Sequence, residues 1–155
     1  MSEQTIWIDG DWIPGACKQI IFKASQRTKF PVTLVANRYQ AVPRFSWIRS
    51  VVVPGGLDVA DDYIADNCQS GDLVVTSDIP LAARVIETGA TVLRFRGEEL
   101  DAVNVQQRLQ VRDFMDELRG SGVNTGGPPP FGDKDKQSFA NALDRWLSRS
   151  QSRRS

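Results

Sequence analysis

Aspartates placed just after predicted strands are the residues of this sequence best suited to chemistry. Asp9 and Asp11 follow the first apolar stretch of the chain, and Asp78 follows another. Asp58 and Asp61 lie three residues apart, so they share one face of a predicted helix. A carboxylate at the end of a buried strand loses its hydration and is costly there unless a cation or a hydrogen-bond donor meets it. The five acids are therefore candidates for binding a positively charged group.

The rest of the composition narrows that chemistry. The chain has no histidine, which excludes imidazole acid–base chemistry, Ser-His and Cys-His nucleophiles and the usual zinc sites. Its two cysteines, Cys17 and Cys68, form no C-x-x-C pair and are expected to be free, buried thiols. Carboxylates without nitrogen or sulfur ligands favour the hard cations Mg²⁺ or Mn²⁺. Such a cation polarises a phosphoryl oxygen and activates a water for attack.

Helix capping is a competing interpretation for three of the acids. Asp58 is the first residue of a predicted helix, and Asp78 lies two residues before another. Asp11 lies three residues before a third. A side-chain oxygen at a helix N-terminus accepts a hydrogen bond from the backbone of the first turn. Asp9 ends a buried strand among apolar neighbours, so capping does not explain it and we expect it to be functional.

Strands that alternate with helices define the predicted fold. The apolar stretches predict strands at residues 5–9, 32–37, 48–53, 72–77 and 91–95. Helices are predicted at residues 14–28, 58–67, 80–88, 103–120 and 135–147. This pattern of βαβ units predicts an α/β fold, a three-layer α/β/α sandwich with a mostly parallel central sheet of about five strands. Ligands of such a sheet bind beyond the carboxyl ends of the strands, where the strand order reverses.

Chain length predicts a single domain. The 155 residues match one ordinary domain, which we expect to span residues 1–147, followed by a frayed tail over residues 148–155. Residues 121–132 are rich in Gly and Pro and predict a loop laid over the domain. Phe114 is among the apolar residues expected to anchor its helix on the core.

Polar, basic and aromatic residues near the same sheet edge are candidates for substrate binding. Asn37 and Ser77 follow strands and could position a phosphate or a metal-bound water. The basic residues are Lys18, Arg38, Arg44, Arg94 and Arg96. Lys18, Arg38 and Arg96 are our candidates for neutralising a phosphodiester backbone, although an ordinary charged surface also explains them. Four aromatic side chains could stack on bases of a single strand, with core packing as the alternative for the last two: Trp12, Tyr39, Phe45 and Trp47.

Bulk charge and hydropathy exclude some partners. Lys plus Arg and Asp plus Glu number 19 each, so a nucleic-acid partner would need local basic surface. No apolar stretch approaches the roughly 20 residues of a membrane span, and the N-terminus has no signal-peptide pattern. We therefore expect a cytoplasmic protein without a membrane partner.

Five stretches that together cover nearly the whole chain carry a resemblance to a known family. They are TIWIDGDWIP, PVTLVAN, VPGGLDVADDYIADNCQSGDLVVTSDIPLAARVIETGA, RDFMDELRGSGVNTGGPPPF and DKQSFANALDRWL. With them the chain resembles the bacterial YaiI/YqxD family, a group related to PIN-like nuclease domains. The resemblance implies an α/β/α sandwich with the first and fourth strands side by side and a clustered acidic site, which many PIN-like domains use for metal-dependent nuclease activity. At matching positions that site corresponds to Asp9, Asp11, Asp58, Asp61 and Asp78.

The chain departs from the family pattern beside the candidate site. The family usually reads Asp-Ala-Asp-Ala-Cys-Pro after the first strand, where this chain has Asp-Gly-Asp-Trp-Ile-Pro. Both acids are kept, Gly10 and Trp12 replace alanines, and Ile13 replaces the cysteine, so a role of that cysteine does not apply here. After the fifth strand the family commonly reads Asn-Pro-Arg-Gly, and this chain has Arg-Phe-Arg-Gly at residues 94–97.

Three functions follow as hypotheses. The first is a Mg²⁺- or Mn²⁺-dependent nuclease acting on RNA or single-stranded DNA, with Asp9, Asp61 and Asp78 as catalytic residues and Asp11 and Asp58 as further metal ligands. The second is a non-catalytic nucleic-acid-binding module, because a fold does not determine function. The third is a phosphatase in which Asp9 is the nucleophile and Asp11 the acid–base residue. This third class also needs a lysine, and none is convincing between Asp78 and the Gly/Pro-rich loop.

Overall fold

The computed structural model describes residues 4–56, 58–122 and 130–154. The strands within these ranges are β1 (Ile6–Asp9), β2 (Val32–Ala36), β3 (Ile48–Val52), β4 (Leu73–Val75), β5 (Thr91–Leu93) and β6 (Glu99–Leu100). The helices are α1 (Gly15–Thr28), α2 (Val59–Asn67), α3 (Ile79–Glu87), α4 (Val105–Gly120) and α5 (Asp133–Arg154). No helix in this part of the chain is long and apolar enough to cross a membrane.

The strands form one mostly parallel sheet in the order β3-β2-β1-β4-β5-β6. Strands β1 to β5 pair in parallel, and β6 pairs with β5 in the antiparallel direction. The α/β/α fold class and the adjacency of the first and fourth strands are thus confirmed. The sixth strand was not predicted, because a two-residue strand is too short to show an alternating pattern.

The reversal of strand order places helices on both faces. The chain moves from β1 to β2 in one direction along the sheet and from β3 through β4 to β5 in the other, and right-handed crossovers then put the helices on opposite sides. One core joins the sheet to α1 and α5, and includes Ile6 and Ile8 of β1. The other joins it to α2, α3 and α4, and includes Trp7. Because strand residues alternate between faces, Asp9 lies on the same side as Trp7, toward α2 and α3.

The C-terminal half differs from the sequence-based expectation in two places. The last helix, predicted to end at residue 147, continues to Arg154, and Ser150 is buried, with its hydroxyl 3.5 Å from Gln4 Nε2. Phe114, expected in the core, is 58% exposed. Its helical spacing identified an apolar residue but not which face of α4 meets the core. Of the Gly/Pro-rich loop, residues 123–129 lie outside the described residues.

Candidate metal centre

All five predicted acids line one cleft at the carboxyl edge of the sheet. Strand order reverses between β1 and β4, which is where a crevice forms in an open parallel sheet. Asp9 is the last residue of β1, and Asp78 follows β4, so the reversal brings them together. The cleft has a volume of about 340 Å³ and is lined by Asp9, Asp11, Trp12, Asn37, Gly56, Asp58, Val59, Ala60, Asp61 and Asp78. No Lys or Arg of the described chain is among these lining residues.

Asp9 is the most buried acid of the cleft. Its residue is 2% exposed, and its Oδ2 accepts a hydrogen bond of 2.8 Å from the Thr76 hydroxyl. The pKa of Asp9 is raised from its ordinary 3.8 to about 6, mainly by burial and further by the charges of Asp78 and Asp11, against the lowering effect of the Thr76 hydrogen bond. The surroundings of Asp9 therefore disfavour its ionised form.

Asp72 is a buried carboxylate with a structural role, and it serves as a comparison for Asp9. It directly precedes β4, at the opposite end of the β1–β4 pair. It is 3% exposed and accepts hydrogen bonds from three donors. They are Trp7 Nε1 at 2.9 Å, the backbone N of Thr5 at 3.0 Å and the backbone N of Gln69 at 2.8 Å. Such donors offset the cost of burying a charge. Within the described part of the chain the Thr76 hydroxyl is the one side-chain donor to Asp9, which favours a functional role for Asp9.

Asp61 shares the unfavourable environment of Asp9. Burial is the largest cause that raises its pKa, to about 7, followed by the charges of Asp78 and Asp9. A hydrogen bond with the Asp78 side chain adds to the increase, as does the charge of Asp58. Like charges this close cannot all ionise at low cost, so a proton or a cation is needed between them.

Helix capping was the competing interpretation for Asp11, Asp58 and Asp78, and it holds for one of them. Asp78 does cap α3, since its Oδ1 accepts a 3.0 Å hydrogen bond from the backbone N of Leu81. Asp58 makes no side-chain cap and lies in the left-handed region at φ 62°, so the capping interpretation is wrong for it. It is wrong for Asp11 too, whose Oδ1 accepts from the backbone N of Asn37 at 2.9 Å. Capping therefore leaves Asp11 and Asp58 without a helical role.

Asn37 adds a neutral oxygen to the cleft. Its Oδ1 is buried and has no hydrogen-bond partner among the described residues. A buried acceptor without a donor is costly, and a cation or its bound water would satisfy it. Carboxylate and amide oxygens together form a ligand set for a hard cation.

The acids do not form a preformed cage. Among the described residues, no three Asp, Glu or Cys side chains are grouped so that they could hold one ion as they stand. Mg²⁺ commonly keeps several waters and takes only one or two carboxylates, with substrate phosphates completing its shell. The cleft fits a cation held in that open manner.

The predicted substrate-binding residues are only partly brought to the cleft. Asn37 lines it, and Ser77 lies beside it, accepting a 3.3 Å hydrogen bond from the backbone N of Phe95. Lys18 donates to Gln40 instead and Arg38 is an exposed residue; neither is among the lining residues. Arg96 pairs with Asp135 at 2.9 Å, so it ties the β5–β6 turn to α5.

Sequence reasoning missed two arginines near this edge. Arg108 and Arg112 of α4 line a second cavity together with Arg94 and Asp78. The i, i+4 spacing of Arg108 and Arg112 indicates a shared helix face, but it does not show that this face turns toward the carboxyl ends of the strands. That depends on how α4 packs on α3.

Gly10 holds the two aspartates of the first loop in place by a close approach. Its N donates a 2.8 Å hydrogen bond to the Val35 carbonyl, and a Cβ on Gly10 would lie 2.8 Å from Leu34 Cδ2 and 3.0 Å from the Val35 oxygen. The alanine usual in the family at this position does not fit these neighbours unless they move.

Gly10→Ala is therefore expected to lower the free energy of unfolding by about 1–3 kcal/mol, as overpacking does. Urea denaturation measures this. Gly15→Ala is the matched control, because a Cβ on Gly15 meets no atom within 4 Å. An equal stability of both variants would show that Leu34 yields without cost.

The fold and the site define a class of protein. It is a three-layer α/β/α protein with an acidic cleft where the strand order of a parallel sheet reverses. Within that class the chain belongs to the family described as "Uncharacterized BCR, YaiI/YqxD family", whose sequence model matches residues 7–149. A UPF0178 protein of Xanthomonas campestris pv. campestris is 52% identical over 148 residues, covering 96% of this chain and 92% of the relative. One of Shewanella baltica is 50% identical over 149 residues, covering 96% and 99%. One of Hydrogenovibrio crunogenus is 52% identical over 144 residues, covering 93% and 95%.

Proposed function

We propose that this protein is a Mg²⁺- or Mn²⁺-dependent nuclease that hydrolyses phosphodiester bonds of RNA or single-stranded DNA in the acidic cleft. The observation that carries the proposal is the convergence of five aspartates on a cleft that no Lys or Arg of the described chain lines. Two of these carboxyls have raised pKa values because burial and their neighbours disfavour ionisation. A cation from solvent would remove that cost.

The residues divide by position. Asp9 and Asp78, from neighbouring strands, are the proposed principal metal ligands, and Asp61 completes the catalytic set from α2. Asp11 and Asp58 are further ligands, and Asn37 offers its unpaired Oδ1 to the cation or to a water on it. When bound, the cation supplies polarisation of the phosphoryl oxygen and a more acidic water. Trp12, 79% exposed, offers a flat apolar surface beside the reacting phosphate.

Metal binding is expected to release protons. Because the pKa values of Asp9 and Asp61 are about 6 and about 7, the metal-free cleft holds protons near pH 6.5 that a cation displaces. Calorimetric titration with Mn²⁺ at pH 6.5 should show binding below the millimolar range, with an enthalpy that differs between two buffers of different ionisation enthalpy. Asp66→Asn, an exposed change on the same helix α2, is the control and should bind Mn²⁺ as the wild type does.

Nuclease activity is measured on end-labelled RNA and single-stranded DNA. Cleavage is expected with Mn²⁺ or Mg²⁺ and not with EDTA. Absence of Mn²⁺ binding at millimolar concentration would contradict the proposal. Strand binding that persists in EDTA, with no cleavage in either metal, would instead identify a nucleic-acid-binding module.

A further inference from the structure

A cavity with aromatic walls lies beside the acidic cleft, at the carboxyl end of β5. Its apolar lining residues are Pro14, which precedes α1, and the aromatic residues Phe95 and Phe131. Its volume is about 450 Å³, within the roughly 300–1,000 Å³ that is ordinary for sites of small organic ligands. We call this cavity the aromatic pocket.

The aromatic wall at Phe131 is held in place by an ion pair. The Arg96 guanidinium lies over the Phe131 ring, 5.8 Å from its centroid. Arg96 in turn pairs with Asp135 of α5 at 2.9 Å. The same Asp135 oxygen accepts a 3.0 Å hydrogen bond from the backbone N of Gly132, next to Phe131. A ligand therefore meets a preformed aromatic surface, which lowers the ordering cost of binding.

The charged residues that line the aromatic pocket already have partners of opposite charge. Arg94 Nη1 donates to Glu98 at 2.8 Å, and Glu98 also accepts from Arg108. Arg96 is paired with Asp135. The pocket therefore offers apolar walls to a ligand without a charge to be neutralised, and an uncharged planar group suits it.

The aromatic pocket is continuous with the acidic cleft. Ser77 and Phe95 line the pocket and also a smaller cavity of about 250 Å³, whose other lining residues belong to the acidic cleft: Asp9, Trp12 and Asp78. One ligand can therefore reach from the proposed cation site into the pocket. At this junction Ser77 Oγ accepts a 3.3 Å hydrogen bond from the backbone N of Phe95, which leaves its O–H to donate to a ligand.

We propose that the aromatic pocket binds one unstacked base of the strand whose scissile phosphate lies in the acidic cleft. The position of the scissile phosphate rests on the proposed nuclease function. A nucleotide joins a charged phosphate, which seeks a cation, to a planar uncharged base, which stacks on aromatic rings. The two connected cavities provide for these two groups separately. Proteins that read single strands hold splayed bases on aromatic side chains in this manner, and the Ser77 hydroxyl provides a donor to the edge of the base.

NMR titration with adenosine in EDTA tests the pocket. Adenosine has a base and no phosphate, so its binding depends neither on a cation nor on hydrolysis. The backbone amide signals of Ser77, Phe95 and Arg96 should shift with adenosine at millimolar concentration and stay in place with ribose, which lacks the base. Phe131→Leu keeps an apolar side chain without the ring and should raise the dissociation constant about fivefold or more. Phe131→Tyr, which keeps the ring, should bind adenosine nearly as the wild type does.

Phe45→Leu is the matched control. Phe45 is also a partly exposed aromatic residue, 39% exposed, with its ring centroid 4.9 Å from that of Trp47. It lies just before β3, at the opposite edge of the sheet. This variant should bind adenosine as the wild type does, and the amide spectrum verifies that each variant is folded. The pocket proposal is wrong if adenosine moves none of the three signals, if ribose moves them equally, or if Phe131→Leu binds as Phe45→Leu does.

The nuclease proposal is tested separately with bis(p-nitrophenyl) phosphate, a diester that contains no nucleobase. Mn²⁺-dependent hydrolysis by the wild type that falls in Asp9→Asn supports the nuclease whatever the pocket binds. Adenosine binding that depends on the Phe131 ring, with no hydrolysis of this diester or of a strand, supports the base pocket and contradicts the nuclease.

Discussion

Asp9→Asn is expected to lower the rate of Mn²⁺-dependent hydrolysis by about 10²–10³ while it makes the metal-free protein more stable at pH 8. Asparagine keeps the size of the side chain and an oxygen that can accept from Thr76, but it removes the charge that holds a cation. Loss of one electrostatic group at the reacting centre typically costs on the order of 10²–10³ in rate. In the metal-free protein the pKa of Asp9, about 6 against its ordinary 3.8, corresponds to about 3 kcal/mol of unfavourable free energy when the group is ionised.

The matched comparison is Asp72→Asn. Asp72 is as buried as Asp9 and lies between the same strands at their other end, but three donors satisfy it. Its replacement should lower the free energy of unfolding, because an amide nitrogen would face one of those donors. Initial rates and urea denaturation in EDTA measure both effects. If Asp9→Asn is destabilised as Asp72→Asn is, Asp9 is a structural carboxylate.

Asp78→Asn separates catalysis from capping. Asparagine is as good an N-cap as aspartate, so α3 should keep its hydrogen bond from Leu81 and most of its stability. The metal-dependent rate should fall as it does in Asp9→Asn, since the proposed cation loses its second ligand. Unchanged activity would restrict Asp78 to capping.

The features that the sequence predicted correctly are those that depend on hydrophobic periodicity and on the residues at the ends of strands. Strands such as β2, buried along its whole length, are visible as continuous apolar stretches, and the order of elements determines a parallel sheet. Asp9 was identified because a carboxylate that ends such a strand needs a partner. The convergence of Asp58 and Asp61 with it followed from the position of α2 after β3.

Features that depend on packing between elements were not predictable. The two residues of β6 carry no pattern, and residues 148–155 (SRSQSRRS) include no apolar residue although Ser150 is buried. Whether Asp11 caps α1 or accepts from Asn37 depends on how the loop after β1 crosses β2. Similarly, the packing of α4 on α3 determines toward which edge of the sheet Arg108 and Arg112 face.

Stability of the metal-free protein is expected to fall as pH rises from 5 to 8, which is opposite to the usual effect of carboxylates. The folded-state pKa values of Asp9 and Asp61, about 6 and about 7, lie above their ordinary 3.8. The folded protein therefore binds more protons than the unfolded chain in this range. The stability that those protons contribute is fully present below about pH 3.8 and is lost as pH rises through 6 and 7.

The absence of histidine makes this measurement unusually direct. No type of side chain in this sequence has an ordinary pKa between 5 and 8. Burial raises the pKa of Cys17 to about 12, so this thiol stays protonated throughout. Glu98, whose pKa is lowered by Arg108 and Arg94, loses its contribution only below this range. The slope of unfolding free energy against pH thus reports the acidic cleft.

Urea denaturation at pH 5, 6, 7 and 8 in EDTA gives that slope, and Asp9→Asn should reduce it. Adding Mg²⁺ or Mn²⁺ should raise stability most at pH 8, where the carboxylates are ionised, by about 2.7 kcal/mol at 100 times the dissociation constant. Metal should therefore flatten the profile, since a bound cation replaces the protons that the cleft otherwise needs. If the free energy of unfolding in EDTA instead increases from pH 5 to 8, other groups of the folded protein already stabilise the ionised carboxylates. The cleft would then not need a cation.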